Sequence, residues 1–158
     1  MPGPVKVQIL NRYVSAAADV LAQETGGPIT RRALEMEANP YTTDEVTSIV
    51  GVSGAFAGSI YLTMSEKTAL AVVSIMLGQE TTLFDELAQS GISELANVVA
   101  GSASVALSND GHVTNITPPI LVVGSGARLS STDIQRLVVP IETVAGTIKV
   151  HIALREAA

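Results

Sequence analysis

The chain lacks cysteine and tryptophan and is poor in charged and aromatic residues. Of its 158 residues, 15% are charged and 3% are aromatic, and neither Cys nor Trp occurs. The absence of Cys excludes disulfides, thiolate metal ligands and a cysteine nucleophile, and it is typical of a reducing compartment. Because only three Tyr and two Phe are present, we expect a core built from Ala, Val, Ile and Leu.

Basic residues and long apolar segments are also scarce. The chain has nine Lys and Arg and 15 Asp and Glu, which gives a formal net charge of −6. This balance speaks against nucleic-acid binding, because such binding needs clustered Lys and Arg. The longest apolar stretches fall short of the roughly 20 residues that cross a bilayer, and the N-terminal residues carry no signal-peptide pattern. With 47% hydrophobic residues, the sequence predicts a single folded domain over residues 1–158, located in the cytoplasm, with no nucleic-acid or membrane partner.

Hydrophobic spacing divides the chain into helices and strands whose order occurs twice. We predict helices at 6–24, 66–77 and 90–108, with a further helical segment at 82–89 directly before the third helix. Extended segments are predicted at 29–37 and 119–123. Two strand pairs are predicted, one at 45–53 with 58–64 and the other at 136–143 with 147–154. The turn Ala57-Gly58-Ser59-Ile60 matches Ala145-Gly146-Thr147-Ile148. Turn chemistry alone can produce such a match, but the order of the helices favours a duplicated unit with halves at about 6–78 and 90–154. The predicted fold is a two-layer α/β (α+β) sandwich in which pseudo-duplicated helix–strand–hairpin units pack their helices on an antiparallel sheet.

The polar face of the third predicted helix differs from an ordinary solvated face. Small and polar residues with a single charge recur on it at spacings of three and four: Glu94, Asn97, Gly101, Ser104 and Ser108, flanked by Val98 and Val105. Solvated helix faces favour Lys, Glu, Gln and Arg, and Gly101 inside a helix costs about 1 kcal/mol relative to Ala. These features indicate a surface that another molecule approaches closely, so we predict that Val98, Gly101, Ser104 and Val105 bind a partner.

Glu94 and Asn97, one helical turn apart, are the candidate catalytic residues. Side chains at this spacing have Cβ atoms about 5–6 Å apart. The Asn97 amide does not titrate near neutral pH, so it can orient a water molecule but cannot act as a general base. Glu94 can act as a base or as a charged anchor for a partner's lysine. The spacing alone leaves a structural alternative open, in which Glu94 is a first-turn acid favoured by the helix dipole and Asn97 is incidental.

Two other patterns do not predict sites. His112 and His151 have no second ligand at metal-binding spacing, so no metal site is predicted. The segment Gly124-Ser125-Gly126 lacks the third glycine and the helix opening of a dinucleotide-binding loop. The candidate chemistry is therefore confined to the third helix.

The segment from Glu94 to Gly101, with the letters ELANVVAG, resembles the E-x-x-N helix signature of the CheC/CheX phosphatases of bacterial chemotaxis. Matching letters also occur in four other places: Gly54 to Ile60, Met76 to Gly78, Thr117 to Pro119 and Val144 to Gly146. The resemblance implies a duplicated α/β fold and a protein phosphatase that hydrolyses the aspartyl phosphate of a CheY-like response regulator. Asn97 would position the attacking water, and Glu94 would pair with a lysine of the regulator. The resemblance further implies a homodimer formed through sheet edges, and a Mg²⁺ ion on the regulator rather than a cofactor on this chain.

CheC-like members of that family carry two such helices. Laying the first predicted helix on the third places Gln8 over Glu94 and Asn11 over Asn97. Because the neutral Gln8 cannot pair with a lysine, we predict that this first site is degenerate, as in one-site, CheX-like members. Two further functions stay open: a receiver-docking or dimerisation adaptor that uses the same fold without catalysis, and a small-ligand sensor.

Overall fold

The computed structural model describes residues 5–37, 40–131 and 134–157, which form three helices and ten strands. The helices are α1 (Val7–Thr25), α2 (Glu66–Leu77) and α3 (Glu86–Asn109). The strands are β1 (Thr30–Arg31), β2 (Glu35–Glu37), β3 (Tyr41–Thr42), β4 (Val46–Gly54), β5 (Phe56–Met64), β6 (Thr114–Ile116), β7 (Ile120–Val123), β8 (Arg128–Leu129), β9 (Arg136–Thr143) and β10 (Gly146–Glu156). A helix followed by five strands occurs twice, from α1 to β5 (the first half) and from α3 to β10 (the second half). Helix α2 lies between these halves, whereas the predicted first half, 6–78, included it.

Helices α1 and α2 form where the apolar spacing predicts them. Gly26 and Gly78 follow them with φ angles of 68° and 69°, a left-handed conformation that glycine adopts without strain at a helix end. The Ser65 hydroxyl caps α2 by accepting a hydrogen bond of 3.1 Å from the amide of Thr68. Within the described parts of the chain, no helix combines the length and apolar character needed to cross a membrane.

Helix α3 begins earlier than predicted and is continuous. Its N-cap is Asp85, whose Oδ1 accepts a hydrogen bond of 3.0 Å from the amide of Ala88. Residues 82–85 are not helical, and residues 86–89 belong to α3 itself rather than to a separate segment. Glu94 is therefore the ninth residue of the helix. Because the helix dipole acts on the first turn, the structural alternative that treated Glu94 as a first-turn acid is wrong.

The strands form an antiparallel sheet in which the two halves exchange strands. The order is β1-β9-β10-β5-β4-β6, with β2 also paired to β9 and β7 also paired to β4. Strands β1 and β2 thus pair with the second half, and β6 and β7 pair with the first. The halves join at β5 and β10, where Leu62 lies opposite Val150. The matched turns at Gly58 and Gly146 make these two residues equivalent, so the topology has an approximate twofold symmetry.

The sheet is covered by helices on one face and by a short ribbon on the other. Along β10, Ile148, Val150 and Ile152 belong to the core beneath the helices, which follows from the two-residue period of a strand. His151 points to the opposite face, where the ring of Tyr41 from the β3–β8 ribbon lies 4.7 Å from its own. The predicted two-layer sandwich is confirmed. The ribbon and β6 were not predicted, because strands of two or three residues are too short to show the alternation of apolar and polar residues that identifies a strand.

A buried polar cluster lies beneath the ribbon. Arg136 Nη1 donates to His151 Nδ1 at 2.8 Å, and His151 Nε2 lies 2.9 Å from Thr63 Oγ1. Arg136 is also 3.0 Å from a carboxylate oxygen of Glu37. Burial, reinforced by the charge of Arg136, lowers the pKa of His151 to about 3. Both ring nitrogens of His151 are thus occupied by hydrogen bonds within the chain. The described ranges contain no group of three or more His, Asp or Glu placed to hold a metal ion.

Candidate functional site

Helix α3 buries one face and presents Glu94 and Asn97 on the other. The buried face consists of small and branched residues: Ala88, Ile92, Leu95, Ala96, Val99, Ala100, Ala103 and Leu107. Glu94 is exposed and Asn97 is partly exposed. Neither side chain makes a hydrogen bond or an ion pair with any residue in the three described ranges. The carboxylate and the carboxamide are therefore available to another molecule.

The pair lines a groove of about 850 Å³ between α3 and the connection from β6 to β7. One wall is formed by α3, with Glu86, Gln89, Ser90, Ser93, Glu94 and Asn97, and the other by Ile116, Thr117, Pro118, Pro119 and Leu121. Of these residues, only Glu94 and Asn97 were predicted from the sequence as site residues. The opposite wall lies about 20 residues further along the chain, and only the family-like letters Thr117-Pro118-Pro119 pointed to it.

Strand β4 holds the second wall in place. The amide of Gly51 donates to Thr117 Oγ1 at 2.8 Å, and the amide of Thr117 donates to the Gly51 carbonyl at 3.0 Å. A Cβ atom added to Gly51 would lie 3.0 Å from both Oγ1 and Cγ2 of Thr117, so a larger residue would push the Thr117 side chain away from the strand. Since β4 belongs to the first half, the groove of the second half depends on both.

The groove carries negative charge and hydrogen-bonding groups. Among the described residues, its charged lining side chains are the two carboxylates Glu86 and Glu94, with no Lys, Arg or His. The hydroxyls of Ser90 and Ser93 have no histidine beside them to activate a nucleophile. A phosphoryl group in this groove would need its charge neutralised by the molecule that carries it. The arrangement can position water or a partner's cation, but it cannot form a covalent intermediate through an activated serine.

The four predicted partner-binding residues have different surroundings. Val105 is 63% exposed, and a Cβ atom added to Gly101 would meet nothing within 4 Å. Packing inside the chain therefore does not require glycine at 101. Val98 is partly buried against the core. The Ser104 hydroxyl is engaged within the chain, 2.8 Å from Thr114 Oγ1 and 3.2 Å from the Thr114 carbonyl, so it fastens α3 to β6.

The predicted first site lies at the other end of the helical layer. Gln8 and Asn11 are exposed on α1, and Arg12 binds Asp110 through two hydrogen bonds of 2.7 and 2.8 Å. Asp110 follows the last residue of α3, 16 positions after Glu94, which corresponds to about 24 Å along a helix. The structure therefore does not bring the two pairs together.

The chain is similar in sequence and in fold to known proteins. The family described as "Chemotaxis phosphatase CheX" matches residues 46–142. The chain is 38% identical over 116 residues to the CheY-P phosphatase CheX of Thermotoga maritima, covering 72% of this chain and 71% of that protein. Its fold is similar to that of the chemotaxis protein CheX from Desulfovibrio desulfuricans, with a TM-score of 0.83, 27% identity and coverage of 94% and 99%. It is also similar to a chain of the CheX–CheY–BeF3–Mg²⁺ complex from Borrelia burgdorferi, with a TM-score of 0.83, 28% identity and coverage of 96% and 100%. The chain belongs to the CheX family of chemotaxis phosphatases.

Proposed function

We propose that the protein is a phosphatase that hydrolyses the aspartyl phosphate of a CheY-like response regulator, using Glu94 and Asn97 of α3. The observation that carries this proposal is that both side chains project into an open groove without a partner in the described chain. The Thermotoga maritima relative is named a CheY-P phosphatase, and the Borrelia burgdorferi relative was crystallised with CheY, BeF3 and Mg²⁺. Both relatives support a phosphorylated receiver domain as the partner.

In the proposed reaction, Asn97 enters the reaction centre of the receiver and holds a water molecule in line with the acyl phosphate. The water oxygen bonds to phosphorus while the bond from phosphorus to the carboxyl oxygen breaks. The electron pair of that bond stays on the aspartate, and the water proton passes to the released phosphate or to solvent. Orientation of water by one polar group contributes on the order of 10²–10³-fold in rate, which suits an acyl phosphate that already hydrolyses spontaneously.

Glu94 fixes the register of the complex by pairing with a lysine of the receiver. Because none of the described residues that line the groove is a cation, the receiver supplies both the lysine and the Mg²⁺ ion that neutralise the phosphoryl charge. Val98, Gly101 and Val105 continue the same exposed face of α3 and form the surrounding contact. Since the Ser104 hydroxyl is held by Thr114, we assign to Ser104 the fixing of α3 rather than a partner contact.

We further propose that the chain acts in the cytoplasm as a homodimer joined through sheet edges. Apolar side chains at both edges support this assembly: Leu34 and Met36 near β2, and Ile120 and Val123 on β7, are 48–64% exposed. Unpaired edge strands with apolar side chains are prone to pair with another chain. The absence of Cys suits a reducing compartment.

Phosphate release from a phosphorylated chemotaxis receiver of the same organism tests the catalytic proposal. The wild-type protein should accelerate release, and Asn97→Ala should lose at least ~10²-fold of that acceleration while its thermal unfolding is unchanged. Binding of the wild-type protein without any acceleration would instead support the adaptor function. Thermal stabilisation by a small molecule in the absence of a receiver would support the sensor.

A further inference from the structure

Three exposed leucines lie at the end of the helical layer where α2 is followed by α3. Leu77, Leu83 and Leu87 are 40%, 72% and 56% exposed. A Cβ atom added to Gly91 would lie 3.2 Å from Cγ2 of Val73, so α2 and α3 touch at these two positions. Leu77 follows Val73 by one helical turn and Leu87 precedes Gly91 by one turn, both toward the connection that carries Leu83. We call these three residues the leucine patch.

The leucine patch is continuous with the groove. Leu87 lies on α3 between Glu86 and Ser90, which both line the groove. It precedes Glu94 by seven residues, which is two helical turns and about 10 Å, and therefore shares its face. A stable protein interface buries roughly 800 Å² on each partner. A receiver large enough to cover Glu94 and Asn97 to that extent also reaches Leu87.

The segment of the chain that carries the leucine patch is acidic. The sequence contains no Lys or Arg between Lys67 and Arg128, and three acids stand beside the leucines: Glu80, Asp85 and Glu86. A complementary surface would present apolar side chains bordered by Lys or Arg. Exposed apolar patches rimmed by polar residues are typical of protein interaction sites.

We propose that the leucine patch is a second docking area for the same phosphorylated receiver, which it recognises through an apolar surface bordered by basic residues. This inference rests on the proposed function, because it takes the receiver as the partner. The patch lies outside the reaction centre, so it contributes to binding and to the choice of receiver rather than to the chemical step. Interactions made equally before and during the reaction affect KM and leave kcat unchanged.

The test uses the full chain with Leu83→Gln and Leu87→Gln combined, and Val113→Gln as the matched control. Val113 is 65% exposed and lies beyond the opposite end of α3. We expect the double variant to raise KM for the phosphorylated receiver, and the Kd for the receiver carrying BeF3 and Mg²⁺, by tenfold or more. Its kcat at saturating receiver should stay within twofold of the wild type, and Val113→Gln should change neither constant. Added salt should weaken wild-type binding, because the rim is charged.

Three results separate the possibilities. An unchanged Kd and KM in a folded double variant would overturn the inference. A change from dimer to monomer in sedimentation with unchanged receiver affinity would also overturn it, since the patch would then bind a second copy of the chain. If the wild-type protein binds the BeF3-loaded receiver through the patch but does not accelerate phosphate release, the docking inference stands and the catalytic proposal fails.

Discussion

Helices α1 and α3 occupy equivalent places in the two halves, yet they present different side chains at equivalent positions. Gln8 corresponds to Glu94 and Asn11 to Asn97, whereas Arg12 takes the place of Val98. Arg12 is bound to Asp110 and places a cation beside the first pair. The duplicated framework is thus kept in both halves, while the charge that we assign to partner recognition occurs in only one of them.

The central strands show a second difference between the halves. Thr63 follows Gly58 by five residues, as His151 follows Gly146, so these two residues are equivalent. They hydrogen-bond to each other across the sheet. Only the second half places a titratable ring in this buried position, next to the buried Arg136. Once both halves belong to one chain, two equivalent positions can therefore take different roles, one in function and the other in stability.

Among the differences between the two halves, the largest expected effect comes from making the second pair identical to the first. Glu94→Gln creates the Gln-x-x-Asn pattern of α1 and removes the charge proposed to pair with a lysine. Charged hydrogen bonds contribute about 1.5–3 kcal/mol, so kcat/KM for the phosphorylated receiver should fall by about 10- to 100-fold. Gln8→Glu is the matched control and should not raise activity, even in the Asn97→Ala background, because Arg12 still takes the place of the partner-contacting Val98. Activity gained through Gln8→Glu would show that the missing charge at position 8 is the only defect of the first site, and that Arg12 does not interfere.

An effect of intermediate size is expected on the stability of the fold in acid, where His151 should lower the free energy of unfolding. The folded pKa of about 3 lies below the ordinary value of 6.5, so between these values the unfolded chain binds a proton that the folded chain does not. The free energy of unfolding should therefore fall as pH drops below about 6.5, by at most about 1.4 kcal/mol per pH unit from this group. Urea unfolding at a series of pH values measures the slope.

His151→Gln should remove this contribution to the slope. Thr63→Val is the matched control: it deletes the hydrogen bond from the equivalent position and lowers stability at every pH, but it keeps the slope because the buried ring remains. Equal slopes for the wild type and His151→Gln would contradict the assignment.

The smallest expected effect is at Gly101, whose equivalent in α1 is Ser15. Gly101→Ala should stabilise the fold by up to about 1 kcal/mol, because the added methyl group meets nothing within 4 Å. The same methyl group should weaken receiver binding several-fold if a partner packs there. Ser15→Ala should also stabilise slightly without changing binding. Unaltered affinity in Gly101→Ala would remove this position from the proposed contact surface.

The helices, the hairpins and the outward pair could be predicted because local patterns determine them. Ser65 and Gly78 mark the ends of α2, and the apolar spacing of α3 assigns Glu94 and Asn97 to its outer face. The ribbon, the second groove wall and the burial of Arg136 could not be predicted, because they depend on strand pairings between distant segments. A charged side chain such as Arg136 is rarely buried unless it is paired, and its partners lie on other strands.

The exchange of strands between the halves has a consequence for how this architecture can be assembled. Neither half closes its own sheet, since each supplies two short strands to the other. Two identical half-length chains could complete each other's sheets by the same exchange of strands. Such a dimer would display two identical helices. Linking the copies covalently removes that constraint, because a substitution in one helix no longer appears in its twin, and a single molecule can carry one specialised surface beside a silent one.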